Sequence, residues 1–526
     1  MAFRNGAHRF QPQKTERGLG LQARPAGGHR GRCSVLPGNR LRPSPRCALP
    51  LVFPSRLSTR TGNSVSRRPF RALLLTLALA ACAPVPTRGP ATPAPAAFDG
   101  ALGVATFDSA WARVRAFHYD TTFGGLDWNA VRDELRPQAL AARSDAELRR
   151  LIMGMVARLG VSHYALIPRD AGAALAPERA AAARRAADGG TSPDSIDVPG
   201  HAGLEVRLAE GQLVTWRVDP AGTAAAAGIA PGLRVTHVQD GDMSAAVARI
   251  AALDDARERQ LAETRFLHGV NGMLRGERGD TITLGILRAG DSVALAVPLG
   301  TSSARLIRFG NLPPMFAELH TERRTVGEHC VGVIALSVWM TPLAAELDRA
   351  IDGMRDCRGI VLDLRGNPGG VAGMVMGIGG HFVDSVQALG TMRTRSNELR
   401  FVLNPRRVNP RGQAVPVYDG ALAVLVDGMS ASTSEIFAAG MQAIGRARVF
   451  GEVSAGQALP AMAGSLPNGD ILMHAIADYL VIDGTRVEGV GVVPDEVVPL
   501  RLEEVRAGRD AALEAALRWV EARPAT

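Results

Sequence analysis

Six residues, Ser430-Ala431-Ser432-Thr433-Ser434-Glu435, place three serines and a threonine between an apolar run, ALAVLVD (421 to 427), and the helix-forming stretch EIFAAG. Ser432 to Glu435 has the S/T-x-x-E form of a capping box, so one reading is that Ser432 only caps a helix. The other reading is chemical. A strand that ends in a tight turn of small residues, with a helix opening on the serine, sets a nucleophilic hydroxyl beside unpaired backbone N–H groups that can stabilise an oxyanion. A second loop, Asp363-Leu364-Arg365-Gly366-Asn367-Pro368-Gly369-Gly370, follows the apolar GIVLDL and could deliver a glycine N–H to the same place. Its plainer reading is a Gly/Pro turn.

A serine nucleophile needs a base. The chain has one lysine, Lys14, and eleven histidines, whose unperturbed pKa near neutrality suits proton transfer. His8 and His29 fall in a basic head, while His201, His237, His268, His320 and His329 sit in strand-rich or connecting segments without a usable pattern. His163 differs: in RLGVSHYALIP a helix ends at Gly160 and the chain turns through Ser162-His163. His381, in GIGGHFVD, is a rival base with loop packing as its other reading, and His474, in the strand-like LMHAIADYL, reads as packing. Gly377 to Gly380 lacks the strand-turn-helix context of a dinucleotide fingerprint. No His/Cys/Asp/Glu grouping has zinc or calcium spacing, so no metal and no cofactor is expected.

Three ordered blocks carry a resemblance. DLRGNPGG, then SASTSEIFAAGMQ with GRARVFGE behind it, then GVGVVPD (489 to 495) resemble the core blocks of the S41 serine peptidases, the tail-specific or C-terminal processing peptidases. The resemblance implies Ser432 as nucleophile, with Gly369 or Gly370 and the N–H of Thr433 as oxyanion donors. Well-known members use a lysine base in a block like GE-x-x-FGKG. Here GEVSAGQALP places Gln457 at that position, and an amide accepts no proton at neutral pH. With Lys14 upstream of an apparent signal sequence, a serine-lysine dyad is excluded from the mature chain. The tricorn-core branch of the family resembles this chain in its Ser-His pair and in a glutamate within an "E-N-x-G-V-x-P-D" block. Glu488 falls on that glutamate, with Gly489 in place of the asparagine. The implied relay runs from Glu488 through Ser162 and His163 to Ser432.

The elements that must position these residues follow from periodicity. Residues 99–173 place Trp111, Val114, Phe117, Leu151, Ile152, Met155 and Leu159 at helical spacing, which predicts a helical N-terminal domain. An Ala/Arg stretch then runs into a Gly/Ser/Pro linker, 174–199. Residues 200–300 read as short strands with a helical insert over about 244 to 265. The turn Ala227-Gly228-Ile229-Ala230-Pro231-Gly232 resembles that of a PDZ domain, which would imply that an extended peptide adds as a strand to its edge. Beyond 300, strands alternate with helices: VGVIAL, a helix over 343 to 356, GIVLDL, ALAVLVD and the serine-capped helix. That predicts an α/β core over 301–500 with a largely parallel sheet and its site at the carboxyl ends of the strands. The family resemblance implies a ClpP/crotonase-like core, and residues 501–526 read as a C-terminal helix.

The net charge of +9 is local. Residues 1–68 hold 14 of the 60 basic residues and one acid, Glu16, so the other 46 face 50 acids. A basic head of this kind reads as a disordered tail or a nucleic-acid arm. Its position argues for neither, because Arg67-Arg68 and the apolar ALLLTLALAA (72 to 81) behind it form a secretory signal. The LAAC ending resembles the lipobox of bacterial lipoproteins, implying a lipid on Cys82 and a periplasmic, membrane-tethered protein. Residues 1–81 would be removed, with 1 to 64 an upstream extension and Val65 a candidate start. Residues 82–98 form a Pro/Ala tether. In that compartment Cys330 and Cys357 could pair, two buried thiols being the alternative.

The expected function is a cell-envelope serine endopeptidase that takes a peptide or protein through the PDZ-like domain and binds no nucleic acid. The alternatives are a binding protein for apolar ligands, as the similar interphotoreceptor retinoid-binding protein modules imply, or a PDZ scaffold on a degenerate peptidase core.

Overall fold

The computed structural model describes residues 98–169, 200–302, 304–307, 315–409 and 411–523. The signal sequence, Cys82, the Pro/Ala tether and the 174–199 linker lie outside the described residues.

Three helices open the described chain: α1 (Gly100–Phe117), α2 (Trp128–Ala141) and α3 (Asp145–Ala157). Each begins on a capping side chain, Asp99, Asp127 or Ser144, which accepts first-turn N–H groups that would otherwise lack partners. Their apolar faces bury Phe107, Val114, Leu148, Ile152 and Met155 in one cluster, which also takes in Leu459, Leu466 and Leu472 from the distant core. The helical domain therefore ends by joining the core. Strand β1 (Ala165–Ile167) pairs antiparallel with residues 471–473, and this pairing carries Ser162-His163, just upstream, to the core.

Strands β2 (Leu204–Ala209) and β3 (Gln212–Val218) form a hairpin. Strand β4 (Val235–Val238) joins β5 (Thr281–Arg288) and β6 (Asp291–Pro298), with residues 241–242, in a four-stranded antiparallel sheet. The expected single insert is two helices, α4 (Met243–Ala251) and α5 (Ala256–Met273), broken around Asp254-Asp255, where Asp255 caps the second. This inserted domain meets the core through stacked cations. The guanidiniums of Arg207, Arg217 and Arg365 lie 4.3, 4.0 and 5.0 Å from the Trp216 ring centre. Arg217 and Arg365 both bind Asp363, and Arg207 binds Asp427 at 3.0 Å. Burial alone would raise the Asp363 carboxyl, but Arg365 and Arg217 more than offset it and hold it well below the carboxylate range.

The core sheet has the order β7 (Leu319–Val326), β8 (His329–Leu336), β9 (Gly359–Asp363), β12 (Ala421–Val426), β13 (Arg448–Gly451) and β17 (Glu496–Val497). The β7–β8 pair is antiparallel and the remaining pairs are parallel. Alternation along β12 sorts its side chains: Leu422, Val424 and Val426 face one layer, Ala423 and Leu425 the other. Helices α6 (Thr341–Asp352), α7 (Met374–Gly379) and α8 (Thr433–Ala443) cover the first face. The C-terminal segment, expected as one helix, is α9 (Leu502–Arg506) and α10 (Ala511–Glu521), and α10 covers the second face. Outside this sheet, β10 (Gln387–Arg393), β11 (Glu398–Leu403) and β16 (Asp478–Val481) form one antiparallel unit, and β14 (Ala461–Ser465) and β15 (Ile471–Ala475) extend β1 into another. Among the described residues no helix is long and apolar enough to cross a membrane.

Cys330, in β8, is bonded to Cys357, just before β9, across 27 residues. Closing a loop of this size constrains the unfolded chain. Replacing either cysteine by serine is expected to cost about 2–4 kcal/mol, read as a lower urea midpoint than wild type under oxidising conditions.

Candidate functional site

The site is built where parallel strands β9 and β12 end. Leaving β12, the chain turns at Asp427, whose Oδ1 accepts the N–H groups of Met429 and Gly366 at 3.0 and 2.9 Å. One carboxylate thus holds the serine loop and the glycine loop side by side. Ser432 stands at the start of α8 with φ 55° and ψ −116°, a conformation costly for a residue with a Cβ. Six non-glycine residues among those described have positive φ, and Ser432 and His163 are two of them.

The strain at Ser432 is held by its neighbours. Its N–H donates to Gln457 O at 2.8 Å and to Glu435 Oε2 at 3.0 Å. Glu435 is fully buried and also accepts the Ser454 hydroxyl and the N–H groups of Gly456 and Gln457. The capping residue foreseen at 435 therefore does more than cap: it fixes the strap 454–458 to the turn at Ser432. Burial pushes its pKa up to about 7, against the pull of those four donors.

Gly369 packs directly on this turn, where an added Cβ would come within 2.6 Å of Ser432 Cβ. Its N–H is taken by Asn367 Oδ1 at 2.9 Å. The N–H of Gly370 and that of Thr433, the first residue of α8, have no acceptor among the described residues. Two unpaired donors beside a serine hydroxyl are what an oxyanion site requires. The Gly370 position is set by Trp339, whose N–H donates to Gly369 O and whose carbonyl accepts from Val371 N, at 2.8 and 2.7 Å.

The second half of the site joins Ser162-His163, which follow the helical domain, to Glu488 of the core. Ser162 N–H donates to Glu488 Oε1 at 2.9 Å, and Ser162 Oγ donates to Glu488 Oε2 at 2.8 Å. Ser162 Oγ is also 2.8 Å from His163 Nδ1. Because the hydroxyl has one proton and the carboxylate takes it, Nδ1 carries the proton in this network and Nε2 keeps its lone pair. Burial lowers the His163 pKa to about 4, so the ring is neutral at physiological pH. The two halves meet at the strap. Gln457 O accepts Ser432 N–H, while the next residue, Ala458, donates its N–H to Glu488 Oε2 at 2.9 Å. No hydrogen bond joins His163 to Ser432 among the described residues; such bonds are commonly loose before substrate binds.

The other sequence candidates lie elsewhere. His381 is fully buried between Asp348, 3.0 Å from Nε2, and Arg355, 2.9 Å from Nδ1, so both ring nitrogens are engaged. His474 is buried beside Phe117. Gln457, at the lysine position of the resemblance, has a buried Nε2 without a hydrogen-bond partner. Sequence reasoning did not single out Asn367, Asp427 or the reach of Glu435.

The site thus has a serine at a strained strand-to-helix turn, two N–H groups without acceptors among the described residues, and a Glu488–Ser162–His163 chain tied to the same strap. Residues 330–498 match the model of peptidase family S41, and residues 105–157 match the model of the tricorn protease C1 domain. It is 28% identical over 260 residues to a carboxyl-terminal-processing protease of Synechocystis sp., covering 48% of this chain and 57% of that one. A carboxyl-terminal-processing protease of Picosynechococcus sp. is 25% identical over 394 residues, 74% of this chain and 82% of that one. Apart from that one, the chain spans about half the length of the first curated relatives matched. The crystal structure of mature CPAF superposes with a TM-score of 0.50 at 12% identity, covering 80% of this chain and 97% of that one, which supports the mixed α/β fold.

Two outcomes follow from this geometry. Gly370 has φ 140°, and a Cβ there would lie 2.1 Å from Trp339 O, so Gly370→Ala should displace the loop. Loss of one oxyanion donor predicts about a 100-fold drop in labelling of Ser432 by a fluorophosphonate. Glu435, with its folded pKa raised from 4.5 to about 7, favours the fold fully below its unfolded pKa and loses that contribution as pH rises through about 7. Glu435→Gln should remove this part of the decline, measured as the slope of Tm against pH beside wild type.

Proposed function

We propose that this protein is a serine endopeptidase that hydrolyses peptide bonds through an acyl-enzyme on Ser432, with His163 as general base. The observation that carries the reading is the Glu488–Ser162–His163 chain, delivered by its own bond to Ala458 next to the residue that holds Ser432. His163 Nε2 takes the Ser432 proton as Oγ attacks the scissile carbonyl, and the oxyanion is received by the N–H groups of Gly370 and Thr433. The positive charge that forms on the ring is passed in part to Ser162 and balanced by Glu488, the role of a third member in any triad. His163 then protonates the leaving amine, and water hydrolyses the acyl ester with the same base. The descriptions of the S41-related proteases support this chemistry.

The inserted domain, 200–300, is read as PDZ-like, with a peptide adding to an edge of its sheets. The core is read as ClpP/crotonase-like, and the protein as an envelope lipoprotein on the strength of Arg67-Arg68, the following apolar run and Cys82.

The test is labelling by a fluorophosphonate, which needs no knowledge of the natural substrate. Wild type should label at Ser432, and Ser432→Ala and His163→Ala should each abolish it. Unchanged labelling in His163→Ala removes that residue as base, and no labelling of wild type favours a binding role. Because His163 acts when neutral, the rate should hold from neutral pH downward and fall only as pH approaches about 4. An acid limb near the ordinary histidine value would contradict the buried, Ser162-bonded ring.

A further inference from the structure

Helix α5 belongs to the inserted domain, yet one of its faces is spent on the candidate site. Arg257, Gln260 and Thr264 recur at three and four residues and so share that face. Gln260 Nε2 donates to Ser454 O at 3.0 Å, Arg257 donates to Ala455 O at 3.0 Å and to Gly456 O, and Thr264 Oγ1 donates to Gly428 O at 3.0 Å. Three consecutive carbonyls of the strap, and one of the nucleophile loop, are thus paired by a helix from another domain. Arg257 goes further: its Nη2 lies 3.3 Å from Glu488 Oε1.

The charge of Glu488 makes this contact matter. Its side chain is 3% exposed and already accepts from Ser162 N, Ser162 Oγ and Ala458 N, none of which is charged. Arg486 and Tyr119 lie within its field, but the Arg486 guanidinium is bonded to Asp478 and to the Tyr119 hydroxyl. Arg257 is the cation that bonds Glu488 itself. A buried carboxylate stripped of its cation either takes up a proton or leaves its donors poorly held. Either change would release Ser162, and with it the orientation of His163.

We propose that Arg257 is a positioning residue for the reaction: from the inserted domain it bonds the buried Glu488 carboxylate and holds the 455–456 carbonyls, so that the relay and the nucleophile turn stay in register. The inference rests on the proposed roles of Ser432 and His163. It makes α5 the element through which the inserted domain acts on catalysis, since any ligand that moves α5 moves this contact.

The experiment compares fluorophosphonate labelling rates of the full chain for wild type, Arg257→Gln, Arg257→Lys, Glu488→Gln and the Arg257→Gln/Glu488→Gln double variant. Arg257→Gln should label about 10- to 100-fold more slowly. Arg257→Lys, which keeps the charge, should return the rate toward wild type. The double variant should be no slower than Glu488→Gln alone, since the two act as a unit. A slower Arg257→Gln that Arg257→Lys does not rescue, or losses that multiply in the double variant, would overturn the positioning role. Should Arg257→Gln alone fail to fold, the double variant, which leaves no buried unpaired charge, and Arg257→Lys still decide it. Wild type that does not label at Ser432 sinks the underlying reading and this role with it; wild type that labels while Arg257→Gln matches it sinks this role alone.

Discussion

A single peptide group, between Gln457 and Ala458, bears the structural demand of the site. The carbonyl of Gln457 holds the N–H of Ser432, and the N–H of Ala458 holds Glu488, so a single short strap fixes a strained serine on one side and the carboxylate of the Ser-His pair on the other. The Ser-His pair enters from far upstream, with Ser162 326 residues before Glu488, and nothing local could keep the parts aligned. Most of the remaining architecture bears on that strap: Glu435 from beneath, α5 from the inserted domain, and the β1–β15 pairing that brings His163 in from the helical domain.

Buried carboxylates do most of the fixing, and they do it in different ways. Asp363 is held ionised by two guanidiniums that also stack on Trp216, which secures the inserted domain to the core. Asp427 shares itself between Arg207 and two backbone N–H groups, joining that same domain to the serine loop and the glycine loop. Glu435 has no cation and relies on four neutral donors, and its raised pKa is the physical consequence. Glu488 lies between these cases, with three neutral donors and one cation. Carboxylates suit this work because each accepts several directional bonds at once, so a few of them can fix loops that have no regular secondary structure.

Several features were legible because their cause is local. A hydroxyl cluster between an apolar run and a helix, with glutamate three residues on, specifies the turn at Ser432 whatever surrounds it. The Ser162-His163 turn followed from a helix ending at Gly160, and α/β alternation followed from apolar runs separated by helical periods. Boundaries fared less well: the one insert divides at Asp255, and the C-terminal helix is two, because a capping aspartate breaks periodicity without changing hydrophobicity. The choice between Gly369 and Gly370 was not legible, since it turns on an Asn367 side chain folding back two residues. Arg257 carried no signal, because an arginine on an amphipathic helix reads as a solvated face until something buried lies opposite it.

The sequence by itself determined the chemistry on offer: a serine at a helix start, glycines after a strand, a Ser-His turn, an acid near the end, and no lysine beyond Lys14 to serve in their place. It could do so because hydroxyls, imidazoles and caps are properties of residues and their near neighbours. The tertiary structure decided which N–H groups are left free, which nitrogen of His163 keeps its lone pair, and which cation meets Glu488. The last two depend on partners hundreds of residues away, and hydrogen bonds, being short-ranged and directional, exist only once the fold has placed both ends.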